Sequence, residues 1–244
     1  MVEALRIGLA GLGNVGVGVF KLLSEHTELL ASRCSRPLQV VAVSARERSR
    51  DRGLDLSGTR WYEDPRFLAD DEDVDVVVEL IGGAHGVALD LVEAALASGK
   101  NVVTANKAMM ALHGTSLATK AGDAGVSLAY EAAVAGGIPI IKALREGLAA
   151  NRIERIYGIL NGTCNYVLTA MEKMGSEFGD VLAEAQSLGY AEADPSLDVD
   201  GIDAAHKLAL LASLAFGRSV EFDAVYIEGI RKIRALDIEF AREL

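Results

Sequence analysis

This chain has few of the residues that cross-link, chelate or bind polyanions. Two cysteines, Cys34 and Cys164, stand far apart in 244 residues. They make no CxxC unit and no disulfide framework, so a reducing cytoplasm is the expected setting. The four histidines, His26, His85, His113 and His206, show no metal-ligand spacing. Lysine and arginine total 24 against 35 acids, for a formal charge of −11. That balance argues against a general affinity for nucleic acid or an anionic membrane. The opening stretch MVEALRIGLAG is too short and too glycine-containing to be read as a signal peptide or a membrane span. No internal repeat or low-complexity segment stands out. What the chain does have is apolar mass. Half of its residues are hydrophobic, enough for a sizeable core in one large domain or two smaller ones.

Short β-branched runs alternate with helical spacing through the first half. Strands are predicted at 6–10, 38–44, 75–81, 101–104 and 127–130, with helices over 15–30 and 89–98. Gly99 is placed to close the second of these helices. The pattern implies an α/β fold: a doubly wound, mostly parallel sheet covered on both faces. The texture changes at EAAVAGGIPII, where Pro139 suits the first turn of a helix over 139–149. Beyond it, strands are predicted at 152–160 and 225–229, and helices at 163–173, 178–188, 199–216 and 237–244. We expect a dinucleotide-binding domain over 1–134 and an α+β substrate and dimerisation domain over 135–244. The last helix carries no closing glycine, so the second sheet is expected to be incomplete and the chain truncated.

Gly11, Leu12, Gly13, Asn14, Val15 and Gly16 spell G-x-G-x-x-G between a predicted strand and a predicted helix. In a Rossmann-type fold the first glycine permits the tight turn and the second lets the backbone approach a pyrophosphate. The third lets the helix pack close to the strand. The N–H groups at the helix start then face an anion. An acid at the end of the second strand would bind the ribose 2′-hydroxyl of NAD, and none stands there. Ser44-Ala45-Arg46 does, followed by Arg48 and Arg50. Guanidinium groups suit a 2′-phosphate, which favours NADP over NAD, with Arg46 nearest the strand end. The plain alternative is that ARERSRDR is a solvated charged loop. Gly82-Gly83 and Thr104-Ala105-Asn106-Lys107 lie at strand carboxyl ends, where open α/β sheets bind ligands. Thr104 and Lys107 are therefore candidates.

A second concentration of chemistry lies at 189–207, GYAEADPSLDVDGIDAAHK. Glu192, Asp194, Asp198, Asp200 and Asp203 crowd into a Pro-containing turn and a helix start. Lys207 follows Asp203 by four residues and shares its helix face. Next to a cofactor site, such a cluster can hold a small amino-bearing substrate. Blander readings stay open. Asp203–Lys207 can be a surface helix pair contributing about 0.2–0.5 kcal/mol. Asp194-Pro195 can be a simple turn, and Asp198 or Asp200 a helix cap. Cys164 could act as a nucleophile, but none of the histidines can be placed beside it as a base. A buried structural thiol is expected instead. His206 points about 100° away from Lys207 on the helix.

Five stretches together resemble the homoserine dehydrogenases: GLGNVGVGV (11–19), VVTANKA (102–108), EAAVAGGIPII (131–141), GILNGTCNYVL (158–168) and GYAEADPSLDVDGIDAAHKL (189–208). That family reduces L-aspartate 4-semialdehyde to L-homoserine with NAD(P)H, in threonine and methionine biosynthesis. The resemblance covers nearly the whole chain, in the family's order. It implies that Lys107 lies near the nicotinamide and the substrate, and that Glu192, Asp198 and Asp203 are acids of the substrate pocket. It places Gly162 and Thr163 in a turn between cofactor and substrate, and Lys207 at the reacting oxygen. Glu131, Val134, Gly136 and Ile138 match a site for a monovalent cation such as Na⁺ or K⁺, built largely from backbone carbonyls. Two departures stand out. Leu197 occupies a position where some relatives carry another acid, and the family's chains normally continue past this length.

On that expectation the substrate's ammonium meets Glu192 and neighbouring acids. Its carboxylate meets Lys107 or the N–H groups of the helix beginning near Thr163. Lys207 is expected at the carbonyl oxygen as proton donor, with Lys107 as its competitor and Asp203 orienting it. The expectation requires Lys207 and the nicotinamide pocket to share a cleft. Two competing readings remain: an aspartate-semialdehyde dehydrogenase-like enzyme acting through a cysteine, and a non-catalytic nucleotide-binding module. A homodimer is expected, because the second domain's strands are too few to bury one another.

Overall fold

A computed structural model describes residues 2–243, which divide into two compact units, one ending at Gly147 and the other beginning at Leu148. The first unit is built on six strands: β1 (Leu5–Ala10), β2 (Leu38–Ser44), β3 (Arg60–Tyr62), β4 (Val76–Glu79), β5 (Asn101–Thr104) and β6 (Leu128–Ala129). They lie in the order β3-β2-β1-β4-β5-β6, and every neighbouring pair is parallel. Such a sheet needs both faces covered. Its helices are α1 (Asn14–Glu25), α2 (Thr27–Cys34), α3 (Phe67–Asp70), α4 (Val87–Ala97) and α5 (Lys107–Ala124). α4 buries Ala88, Leu91, Val92, Ala95 and Leu96, the spacing of one helical stripe. Leu9, Leu12, Phe20 and Val43 form a core cluster beneath the first turn.

Several expected elements are corrected in detail. The helix expected over 15–30 is two helices broken at His26, where the Thr27 hydroxyl turns back onto the carbonyls of Leu23 and Ser24. β3 and the long α5 escape the sequence pattern. α5 is specified by its ends instead: Asn106 caps it through the Met109 N–H, and Gly125, at φ 68°, closes it. The helix expected from Pro139 is one α turn, α6 (Ile140–Lys142), widening into a π turn over Ala143–Gly147. The Glu131 carboxylate accepts the N–H groups of Ile141 and Lys142, which ties this segment to the first unit. The packing division therefore falls after Gly147, later than the sequence boundary drawn at 134/135.

The second unit holds α7 (Gly162–Met174), α8 (Phe178–Ser187), α9 (Ser196–Val199), α10 (Ile202–Phe216) and α11 (Ala235–Ala241). Val167, Met171, Val181, Ala185 and Ala191 form its core, with Ile230, Ile233 and Ile238 packed against them. The helix expected over 199–216 is divided at Gly201. There φ is 85°, and a Cβ would lie 3.0 Å from the Glu228 carbonyl oxygen. The two strands expected at 152–160 and 225–229 do not form among the described residues. A strand needs a hydrogen-bonded neighbour, and neither segment has one. Their alternating pattern leaves Tyr157 88% and Tyr226 84% exposed.

Candidate cofactor and substrate sites

The strand order reverses between β1 and β4, and a doubly wound sheet opens its ligand crevice at that point. Gly11 sits there at φ 97°, so close to β4 that a Cβ would lie 2.6 Å from the Leu80 carbonyl oxygen. A Cβ on Gly16 would lie 1.8 Å from the Gly11 oxygen. A Cβ on Gly13 would meet nothing within 4 Å, which leaves room for a ligand against the main chain. α1 has no side-chain cap and no acid in its first turn. Val17 is bonded to the Gly13 carbonyl at 2.9 Å, so the N–H groups of Asn14, Val15 and Gly16 precede the intrahelical ladder. Open space, unused donors and the positive end of a helix dipole fit a dinucleotide pyrophosphate.

Arg46 is exposed, just past the end of β2 at Ser44. Arg52, which the sequence reading passed over, is better anchored. Its Nε donates to the Leu12 carbonyl at 3.2 Å, and its guanidinium lies 5.5 Å from the Trp61 ring centroid. The charged loop is thus tied at its far end to the glycine turn. Only the run of arginines signalled it, and Trp61 had no motif to draw attention. Thr104 is buried, and its hydroxyl donates to Glu79 while accepting from the Asn106 N–H at 3.0 Å. Its side chain is therefore committed to the protein, and its backbone is what remains for a cofactor. Lys107 opens α5 and is half-buried.

The second unit sorts the five acids into different roles. Asp194 accepts from the backbone and hydroxyl of Ser196 and forms a turn. Asp200 pairs with Arg231. Neither caps α10, whose N-cap is Gly201 without a side-chain bond. Glu192 is exposed, and its carbonyl accepts from Gln186. Asp198 and Asp203 are drawn together by Asn161. Its Nδ2 donates to Asp198 at 2.7 Å and to Asp203 at 2.9 Å, while its Oδ1 caps α7 through the Cys164 N–H at 2.8 Å. Asn161 stands in the NGT turn, but the sequence reading singled out Gly162 and Thr163. Gly162 begins α7, and the Thr163 hydroxyl lies 3.0 Å from Asp198 and 3.1 Å from the Tyr190 carbonyl.

Lys207 completes the cluster. Its Nζ donates to Asp203 at 2.6 Å and to the Leu160 carbonyl at 2.7 Å. The Asp203 side chain is 5% exposed and that of Lys207 19%, so this is not a solvated surface pair. An ammonium carries three donors, and two are directed at these acceptors, which leaves one for a substrate oxygen. His206 faces elsewhere and packs against Phe222, ring centroids 4.7 Å apart.

Cys164 is ill suited to nucleophilic work. Burial first, and then the charges of Asp198 and Asp203, push its thiol up to about 11. It donates instead to the Asp198 carbonyl at 3.2 Å. His85 and His113, far apart in sequence, meet at 3.1 Å between ring nitrogens, a contact that no sequence spacing reveals. Among the described residues no three histidines, cysteines or acids group as a metal site. Glu131, Val134, Gly136 and Ile138 share one turn-rich segment, kinked at Ala135 where φ is 49°.

Comparison with known proteins identifies the family. The model described as "Homoserine dehydrogenase, NAD binding domain" matches residues 11–131, and "Homoserine dehydrogenase" matches 139–244. The homoserine dehydrogenase of Pseudomonas aeruginosa is 50% identical over 243 residues, covering 100% of this chain and 55% of its own length. That of Neisseria gonorrhoeae is 47% identical, with the same shares. The crystal structure of a homoserine dehydrogenase from Thiobacillus denitrificans has a TM-score of 0.94 and 47% identity, covering 99% of this chain and 56% of that one. A hyperthermophilic archaeal homoserine dehydrogenase in complex with NADPH has a TM-score of 0.81 at 26% identity, covering 95% of this chain and 75% of that one. The chain thus spans about half the length of the curated relatives it matches.

Proposed function

The chain belongs to the homoserine dehydrogenase family, and from that premise we propose that the whole protein reduces L-aspartate 4-semialdehyde to L-homoserine. The nicotinamide, when bound, supplies or takes the hydride. This chain's residues bind, orient and move the proton. The N–H groups of Asn14, Val15 and Gly16 take the pyrophosphate. Arg46 and Arg52, with no acid at the end of β2, favour NADP. Glu192 and Asp198 accept from the substrate's ammonium, and the N–H groups at the start of α7 hold its carboxylate. Lys207 faces the carbonyl oxygen, stabilises the charge that develops there and donates the proton. The observation that carries this reading is the Lys207 ammonium, anchored on Asp203 and Leu160 with one donor to spare.

The test is homoserine-dependent reduction of each cofactor, followed at the nicotinamide absorbance band with the full-length protein. Turnover with NADP⁺ supports the reading. Cofactor binding without turnover of homoserine would favour the nucleotide-binding module instead.

We also read a monovalent cation, such as Na⁺ or K⁺, at the carbonyls of Glu131, Val134, Gly136 and Ile138. The Glu131 side chain is already engaged by backbone donors, so the carbonyls are the ligands this segment offers. A homodimer is supported by the unpaired segments 152–160 and 225–229, whose exposed tyrosines and backbone invite a neighbour. Light scattering that finds monomer alone at tens of micromolar would oppose it. The two free cysteines accord with a cytoplasmic setting.

A further inference from the structure

Glu79 ends β4 with no exposed surface, a carboxylate that the reaction above does not use. Its Oε1 accepts the N–H groups of Ile81 at 2.8 Å and Gly82 at 2.9 Å. Its Oε2 accepts from the Thr104 hydroxyl at the end of β5. That hydroxyl accepts in turn from the Asn106 N–H at 3.0 Å. The Asn106 side chain closes the ring, donating to the Gly83 carbonyl at 2.7 Å and accepting from Met109 at 3.1 Å. One buried carboxylate thus ties the loop after β4 to the turn that starts α5, and Lys107 is the first residue of that helix.

All three of these donors to Glu79 are neutral. Taking a carboxylate out of water without a cation costs several kcal/mol, which neutral donors offset in part. Packing alone would be better served by an apolar side chain. The loop explains what the charge does. Gly82 and Gly83 both sit at φ 87°, and a Cβ on Gly82 would meet nothing within 4 Å. Leu80 packs against the core, but the two glycines have no side chain to pack, so the bonds from Ile81 and Gly82 to the carboxylate, and from Asn106 to Gly83, are what hold this part of the turn. The loop and Lys107 both lie at strand carboxyl ends, the side of the sheet that binds the cofactor.

We propose that Glu79 is a positioning residue for hydride transfer. It fixes the 81–83 loop and the start of α5 before cofactor and substrate arrive. The proposal rests on the homoserine dehydrogenase reading for its catalytic consequence, and on the ring alone for its effect on cofactor affinity. Glu79→Gln keeps the volume and turns one acceptor into a donor facing donors. The expected result is a drop in kcat of about 10- to 100-fold, the cost of a small misplacement. The KM for cofactor rises. Thr104→Val, which removes the linking hydroxyl, gives the same split, and the two losses are not additive. Thr104→Ser, which restores the hydroxyl, recovers most of the loss.

NADPH fluorescence titration provides a readout that needs no turnover. If the wild-type protein binds NADPH but does not turn over homoserine, the proposed activity fails, and the ring is still tested by weakened binding in the variants. If Glu79→Gln does not fold, the Thr104→Val and Thr104→Ser pair decides. Wild-type kcat and cofactor affinity in Glu79→Gln, or independent additive losses at 79 and 104, would overturn the proposal. So would equal defects in Thr104→Ser and Thr104→Val.

Discussion

Gly16 approaches Gly11 so closely that a Cβ on Gly16 would sit 1.8 Å from the Gly11 carbonyl oxygen. The obstacle is backbone and cannot swing aside. Gly16→Ala must therefore move α1 away from the β1 turn or distort the turn itself. We expect a loss of about 3 kcal/mol, the upper end of overpacking costs, seen as a lower Tm. NADPH affinity should collapse with it, because the same N–H groups form the proposed anion site. A Gly16→Ala protein with unchanged Tm and NADPH affinity would mean that the turn is not the cofactor cradle.

Lys207→Ala should lower kcat by about 10²- to 10⁴-fold if the ammonium is the proton donor. It also strands Asp203, whose side chain is 5% exposed, beside Asp198 and Asn161. Breaking a buried pair from one side costs about 3–5 kcal/mol. Turnover should therefore be expressed per folded molecule, with circular dichroism giving the folded fraction. Near-normal kcat at saturating substrate would return the role to Lys107.

The sequence displayed the sheet well where one signal decides each element. β2 and β5 have their expected bounds because β-branched runs end at polar residues. α5 was invisible because its stripe is interrupted by Gly114 and Gly122, and a single asparagine cap sets its start. The break at Gly201 is a left-handed glycine at φ 85°, and the close approach of the Glu228 carbonyl there is a tertiary contact that no local pattern carries. At the site, Asp203 and Lys207 were legible from their four-residue spacing. Asn161 was not, because its role is to bridge two carboxylates that lie 37 and 42 residues further along. Motifs report residues that act on ligands more readily than residues that hold those residues in place.

Acid stability should depend on Asp75, which pins β1 beside β4. It accepts the Arg6 backbone N–H at 2.8 Å and two guanidinium bonds at 3.2 and 2.7 Å. The Arg6 hydrogen bond, foremost, holds its carboxyl below the ordinary 3.8. A depressed folded value means that the contribution is complete above the unfolded value. It is lost as pH falls through the folded one. Asp75→Asn should therefore flatten the dependence of stability on pH below about 4, measured by urea unfolding at several acid pH values. An unchanged slope would mean that other carboxylates dominate the acid transition.

Cys164 separates two chemistries that share a cofactor fold. A dehydrogenase that forms a thioester needs a thiolate near neutral pH, whereas here burial and two carboxylates push the thiol up to about 11. At pH 8 that leaves about one molecule in a thousand as thiolate. The raised value also sets a direction for stability. The contribution is complete below 9.0 and is lost as pH rises through about 11. Cys34 is exposed, so iodoacetamide at pH 8 should label the native protein at Cys34, with homoserine turnover retained. Cys164 should react once the chain is unfolded in urea, as mass spectrometry of the two peptides would report. Equal labelling of both cysteines in the native state, with activity lost in step with Cys164, would restore the cysteine-based reading and remove Lys207 from the centre of the reaction.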